Sequence, residues 1–138
     1  MEIVEKIKNI GLPDKEFVVM GSAILEAKGI RKAGDLDVMV KKALFDELKK
    51  KPGWKYTHKV GKLGDSIDLL ENNGVQLYFS IYGKKDYNYF LSEPTRIEEI
   101  DGIYFTSLKD LLRKKSTDWD REKDKQDVEL IKAYLATV

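Results

Sequence analysis

Ile3, Val4, Ile7 and Ile10 recur at helical spacing with Lys and Glu between them, and Gly11 and Pro13 end the pattern. The spacing predicts a short amphipathic helix. Phe17-Val18-Val19-Met20 is apolar at every position, which predicts a central strand covered on both faces. Gly21 stops it, Ser22 is placed to cap a helix carrying Ala23, Ile24, Leu25 and Ala27, and Gly29 suits that helix's C-terminal end. After a polar stretch, Asp35-Leu36-Asp37-Val38-Met39-Val40 alternates acidic and apolar before turning wholly apolar. That pattern predicts a second strand whose start is polar on one face.

Leu44, Phe45 and Leu48 line one side of a helix running to about Lys50, and Pro52-Gly53 breaks it. Three strands are expected next, over Trp54–Val60, Ser66–Leu70 and Val75–Ile81, with Asn72-Asn73-Gly74 as the turn between the last two. The region from Tyr82 to Pro94 is aromatic and irregular. Asp101-Gly102 joins Ile97–Ile100 to Ile103–Phe105 as a small hairpin, and Ser107 caps a helix containing Leu108, Leu111 and Leu112. A final helix from about Asp120 buries Val128, Ile131, Tyr134 and Leu135. With no internal repeat or linker, the order predicts one α/β (α+β) domain over residues 1–138: a mixed sheet flanked by helices, with two C-terminal helices.

Composition narrows the chemistry. The chain has 138 residues, 42% hydrophobic and 36% charged, so a core and a densely ionic surface are both expected. Lys and Arg number 25 against 24 Asp and Glu, a net charge of +1 that gives no global pull toward nucleic acid or an anionic membrane. The absence of cysteine removes disulfides, thiolate metal sites and cysteine nucleophiles. No run of about 18 apolar residues occurs, so neither a signal peptide nor a membrane span is expected, and the reading is a soluble, cytoplasmic protein without membrane attachment.

The candidate site is Gly21-Ser22 at a strand-to-helix junction, followed by Asp35-Leu36-Asp37 at the start of the next strand. Glycine there lets a polyphosphate approach the backbone, Ser22 adds a hydroxyl, and the helix start offers N–H groups to an anion. Residues two apart on a strand share a face, about 6.6 Å apart, so Asp35 and Asp37 can converge on hard cations. Two Mg²⁺ ions about 3.5–4 Å apart, held between these carboxylates and a nucleoside triphosphate, would suit in-line displacement at phosphorus.

The stretch VVMGSAILEAKGIRKAGDLDVMV resembles the signature of the DNA polymerase beta-like nucleotidyltransferase superfamily: hydrophobic strand, Gly-Ser, helix, then Asp-hydrophobic-Asp on a strand. The ending SLKDLLRKKSTDWDREKDKQDVELI is similar to that of many small prokaryotic members, including those related to abortive-infection toxins. The resemblance implies a nucleotidyltransferase-like fold and Mg²⁺-dependent transfer of a nucleoside monophosphate from an NTP such as ATP to a hydroxyl on RNA (tRNA among the candidates), protein or a small molecule. It implies that Gly21 and Ser22 contact the triphosphate and that Asp35 and Asp37 ligate the metal. It also matches Lys115, Arg121, Lys123, Asp124 and Asp127, for which a plain structural role is the rival reading, with Lys123 and Asp127 as an exposed i,i+4 pair.

One departure stands out. Active members carry a third carboxylate on a neighbouring strand, whereas Val75–Ile81 contains no acid; Gln76 or Ser80 stands where it is expected, and Asp68 on the preceding strand is the nearest substitute. A noncatalytic module of the same fold, within a toxin-antitoxin or defence pair, is therefore the alternative, and a homodimer or partner protein is expected to complete the acceptor site of so short a chain. The lone His58 reads as a surface residue. Lys49-Lys50-Lys51, Lys84-Lys85 and Lys114-Lys115 read as solvated faces that, with Arg31 and Lys32 on one rim, would hold RNA phosphates. Tyr82, Tyr87, Tyr89 and Phe90 read as core or as base-stacking residues.

Overall fold

A computed structural model of the chain describes residues 2–60, 64, 66–81, 85–117 and 121–138. The apolar run forms β1 (Phe17–Met20), every residue of it buried. β2 (Leu36–Val40) lies antiparallel on one side of β1, and β7 (Ile103–Thr106) lies parallel on the other. β3 (Lys55–Val60), β4 (Ser66–Asn72) and β5 (Val75–Tyr78) continue outward from β2, and β6 (Ile97–Ile100) pairs with β7. The result is a mixed seven-stranded sheet of order β3-β4-β5-β2-β1-β7-β6. Asn73-Gly74 and Asp101-Gly102 all have positive φ, between 47° and 79°, the backbone of the tight turns expected for two-residue hairpins.

Helices α1 (Glu2–Ile10), α2 (Ala23–Ala27), α3 (Lys42–Lys49), α4 (Tyr87–Leu91), α5 (Leu108–Thr117) and α6 (Glu122–Leu135), with a single 3-10 turn at Pro94–Arg96, complete the described elements. Two of the sequence expectations shift: β4 runs two residues longer and β5 stops at Tyr78 instead of Ile81. The stretch read as irregular contains α4, capped by Asp86, whose carboxylate accepts from the Tyr89 N–H at 2.9 Å. Tyr82 and Lys84, and Asp120 where the last helix was expected to begin, lie outside the described residues.

Strand register sorts the side chains into two layers. Phe105, Val19, Val38, Leu77 and Leu70 align across five strands and face the main core, which α1, α2, α3 and Ile131 of α6 cover. Each such aliphatic or aromatic side chain, fully buried, contributes about 1.5–3 kcal/mol. The opposite face carries the row Met20, Asp37, Gln76, Glu71 and a smaller cluster of Val18, Met39, Tyr87 and Phe90. The polar row sits half-buried beside that cluster, and it positions the site.

Candidate functional site

Gly21 leaves β1 with φ +67°, and apart from its chain neighbours no heavy atom of the described residues stands within 4 Å of the place its Cβ would take, so the backbone is open to close approach. Ser22 holds the N-cap position of α2, yet its hydroxyl makes no capping bond, contrary to expectation. Its own backbone is already helical (φ −75°, ψ −2°), whereas a side-chain cap needs an extended residue. At its other end α2 closes as expected on Gly29, with the Ile30 N–H donating to Leu25 O and the Gly29 N–H to Glu26 O. With five residues α2 adds only a small dipole.

Asp35 is exposed and sits one residue before β2, which begins at Leu36 and not at Asp35 as the alternation suggested. Asp37 lies inside the strand, half-buried, between Met20 of β1 and Gln76 of β5. Burial pushes its carboxyl above the ordinary carboxylate range and the neighbouring Asp35 charge adds to this, against a hydrogen bond from Tyr78. The Tyr78 hydroxyl has one proton for two acceptors: Gln76 Oε1 at 2.8 Å and Asp37 Oδ1 at 3.3 Å. Burial, and then the Asp37 charge, push the phenol well above its ordinary value.

The basic side of the site comes from the C-terminal helices. Lys115, read from sequence as part of a solvated face, is 5% exposed, and its Nζ stands 2.9 Å from both Asp124 Oδ1 and Asp127 Oδ2. Arg31 grips Asp127 through Nε and Nη2, each at 2.7 Å, and Arg121 grips Asp124 at 2.8 and 3.2 Å. The Arg121 hydrogen bond leads, followed by Lys115, in pulling the Asp124 carboxyl down to about 2. At Asp127 burial acts upward, but the bonds from Arg31 and Lys115 outweigh it and the carboxyl is lowered. The exposed Lys123–Asp127 pair is not formed, because Asp127 turns inward to Arg31 and Lys115. Asp124, Asp127 and Ile131 share the inner face of α6, a spacing that was readable in the sequence; acids on such a stripe need buried cations.

These parts meet around one polar cavity of about 280 Å³, lined by Gly21, Ser22, Arg31, Gly34, Asp35, Asp37, Lys115, Arg121 and Lys123. The two acidic oxygen donors suit a hard divalent cation that takes its remaining ligands from a bound anion, and the cationic rim suits that anion. Among the described residues no group of three or more His, Asp or Glu is arranged to hold a metal by itself.

Asp68 is not brought to this cavity. In the unbroken register of β4 it shares a face with Leu70, opposite to that of Glu71, Gln76 and Asp37. Its Oδ1 accepts from the Tyr56 hydroxyl at 2.5 Å and lies 2.8 Å from His58 Nδ1, and the Tyr56 bond leads in lowering its pKa. Ser80 lies beyond β5 and lines a separate hollow with Lys41, Lys42 and Asp86. Gln76 therefore holds the position beside Asp37, and Glu71, beyond it in the same row, is the acid that the sequence reading passed over. Of the lysines expected on one rim with Arg31, Lys115 does line this cavity with it, whereas Lys49 lies over the Tyr56 ring, Lys51 reaches Glu47, and Lys32 is highly exposed near Glu2. Tyr87 and Phe90 are core residues, and the Arg96 guanidinium stands 3.9 Å from the Tyr89 ring centroid.

No helix among the described residues is long and apolar enough to cross a membrane. No family model matches the sequence, and no curated protein matches it. Among solved structures the chain is similar to that of JHP933 from Helicobacter pylori, with a TM-score of 0.50 and 18% identity. The match covers 92% of this chain and 62% of JHP933, so the chain spans less than two thirds of that protein; the likeness is one of fold alone.

Proposed function

We propose that the chain is an Mg²⁺-dependent nucleotidyltransferase that moves a nucleoside monophosphate from an NTP to a hydroxyl acceptor. The observation that carries this reading is the meeting of Gly21-Ser22, Asp35, Asp37 and four cationic side chains around a single cavity. Arg31, Lys115, Arg121 and Lys123 would hold the phosphates, with the open Gly21 backbone letting the chain of phosphates lie close. Asp35 and Asp37 would hold Mg²⁺, which when bound neutralises phosphate charge and stabilises the departing pyrophosphate. The acceptor oxygen forms its bond to the α-phosphorus as the α–β bridging bond breaks; pyrophosphate leaves and the hydroxyl proton passes to solvent. Asp124 and Asp127 act from behind, fixing Lys115, Arg121 and Arg31 so that they need not reorganise around the ligand.

A second reading, a nucleotide-binding module without turnover, is favoured by Gln76 standing beside Asp37 and by the Tyr78 hydroxyl lying within reach of both. Incubation with Mg²⁺, labelled NTPs and a pool of tRNA and small hydroxyl compounds separates the two. Transfer of label that disappears in Asp35→Ala and Asp37→Ala supports the enzyme. Metal-assisted NTP binding in a calorimeter without pyrophosphate release supports the module, and no binding of any NTP overturns both.

A further inference from the structure

On the second face of the sheet, past Asp37, lies another recess of about 220 Å³ that shares Gly21 and Asp37 with the charged cavity. Its chemistry is the reverse. Met20, Ile67, Tyr78, Ile81 and Leu111 make apolar walls, and Thr106, Asp110 and Lys114 supply a polar edge. Thr106 is 3% exposed, and its hydroxyl has no hydrogen-bond partner among the described residues. A buried hydroxyl left without a partner is a standing cost to the folded chain, and such groups concentrate where a ligand supplies the missing bond. Rotation about the Thr106 Cα–Cβ bond exchanges its hydroxyl and methyl positions, so a polar edge arriving in the recess can draw the hydroxyl toward it. Lys114 stands 3.5 Å from Asp110, with a side chain 12% exposed, and adds a donor to the same edge.

Size limits the occupant. The recess is smaller than the roughly 300–1,000 Å³ of pockets that enclose drug-sized molecules, so it admits one ring system and not a whole nucleotide. Resting on the nucleotidyltransferase reading, we infer that the recess receives the base of the donor nucleotide. The ring lies along the apolar walls with its polar edge toward Thr106, while its phosphates run past Gly21 and Asp37 into the charged cavity. Continuity decides for the base: it is covalently tied to the phosphates, so its pocket must share walls with theirs, and Gly21 and Asp37 are those walls.

The test compares Mg²⁺-loaded tripolyphosphate with the four NTPs by calorimetry on the full chain. The expected result is that at least one NTP binds about tenfold more tightly than tripolyphosphate. Thr106→Val should remove about fivefold of that advantage, leave tripolyphosphate unchanged and leave thermal stability equal or raised, because the unpartnered hydroxyl is gone. Thr106→Ser should restore the advantage. In the unaltered protein the methyl NMR signals of Ile67, Ile81 and Leu111 should move with NTP and stay still with tripolyphosphate. Equal affinity for tripolyphosphate and every NTP, or methyl signals that respond only when a hydroxyl acceptor is added after the NTP, overturns the base assignment while the phosphate site stands. Failure of tripolyphosphate and all NTPs to bind overturns the functional reading with it.

Discussion

Asp124→Asn removes one carboxylate from a cluster that both stabilises the fold and positions the cationic rim. Asp124 is fully buried, and a carboxyl drawn from 3.8 down to about 2 corresponds to ~2 kcal/mol in favour of its charged form, at about 1.4 kcal/mol per pH unit. Losing the acid also leaves buried Lys115 sharing Asp127 with Arg31, and breaking a buried pair costs about 3–5 kcal/mol. The expected loss at pH 7 is therefore about 2–5 kcal/mol, a large share of the roughly 5–15 kcal/mol that holds a typical domain together. The sign of the pH dependence follows from the depressed value. The contribution is complete above the unfolded carboxyl near 4 and fades as pH falls toward about 2, where the native carboxyl itself takes a proton. Urea unfolding of both proteins between pH 7 and pH 2 gives a difference curve in which the other acids largely cancel. It should be flat from pH 7 to about 5 and shrink below that. A mutant as stable as the parent at pH 7, or a difference that grows on acidification, would refute the reasoning.

Other substitutions probe single links. Gly21→Ala should destabilise by about 1–2 kcal/mol, read from the urea midpoint, because φ +67° is strained for an L side chain although no atom opposes the added methyl; a loss far above that would mean a clash is present. Tyr78→Phe withdraws the bond that lowers Asp37, so the Asp37 carboxyl should rise further and Mg²⁺-dependent nucleotide binding should be lost at a higher pH as solution is acidified. A binding profile that stays in place or moves downward contradicts this. Gln76→Asp puts an acid beside Asp37 and should tighten Mg²⁺–tripolyphosphate by about tenfold in calorimetry; unchanged or weaker affinity would show that the row is not a metal-facing one. Ile131→Ala, at a fully buried position of α6, should cost about 2–5 kcal/mol, and a shift in midpoint worth less than 1 would show that α6 is not anchored there.

The Gly-Ser and Asp-x-Asp pairs could be found without coordinates because their parts are local. Gly21 follows an apolar run that is buried at all four residues, and Asp35 and Asp37 flank one residue at the start of the next such run. The terminal acids were harder. Asp124 and Asp127 stand at helical spacing from Ile131, but which cations they hold shows only when Arg31, far away in the chain, is seen gripping one of them. The substitute acid failed for a different reason: Asp68 sits one position out of phase with Glu71 and Gln76, and in a strand one residue of phase is a change of face.

Hydrophobic spacing, glycine at obligatory turns and the order of strands and helices are properties of neighbouring residues, so the linear chain alone determined the elements apart from α4 and the ends of β4 and β5, the central place of Phe17–Met20 and the Gly-Ser and Asp-x-Asp pairs. Which acid shares a face with Asp37, which lysine is buried and which hydroxyl lacks a partner are decided by register and by contacts between segments as distant as Arg31 and Asp127. Those depend on the sum of packing over the whole sheet, where a shift of one residue reverses the outcome, and only the tertiary structure carries that sum.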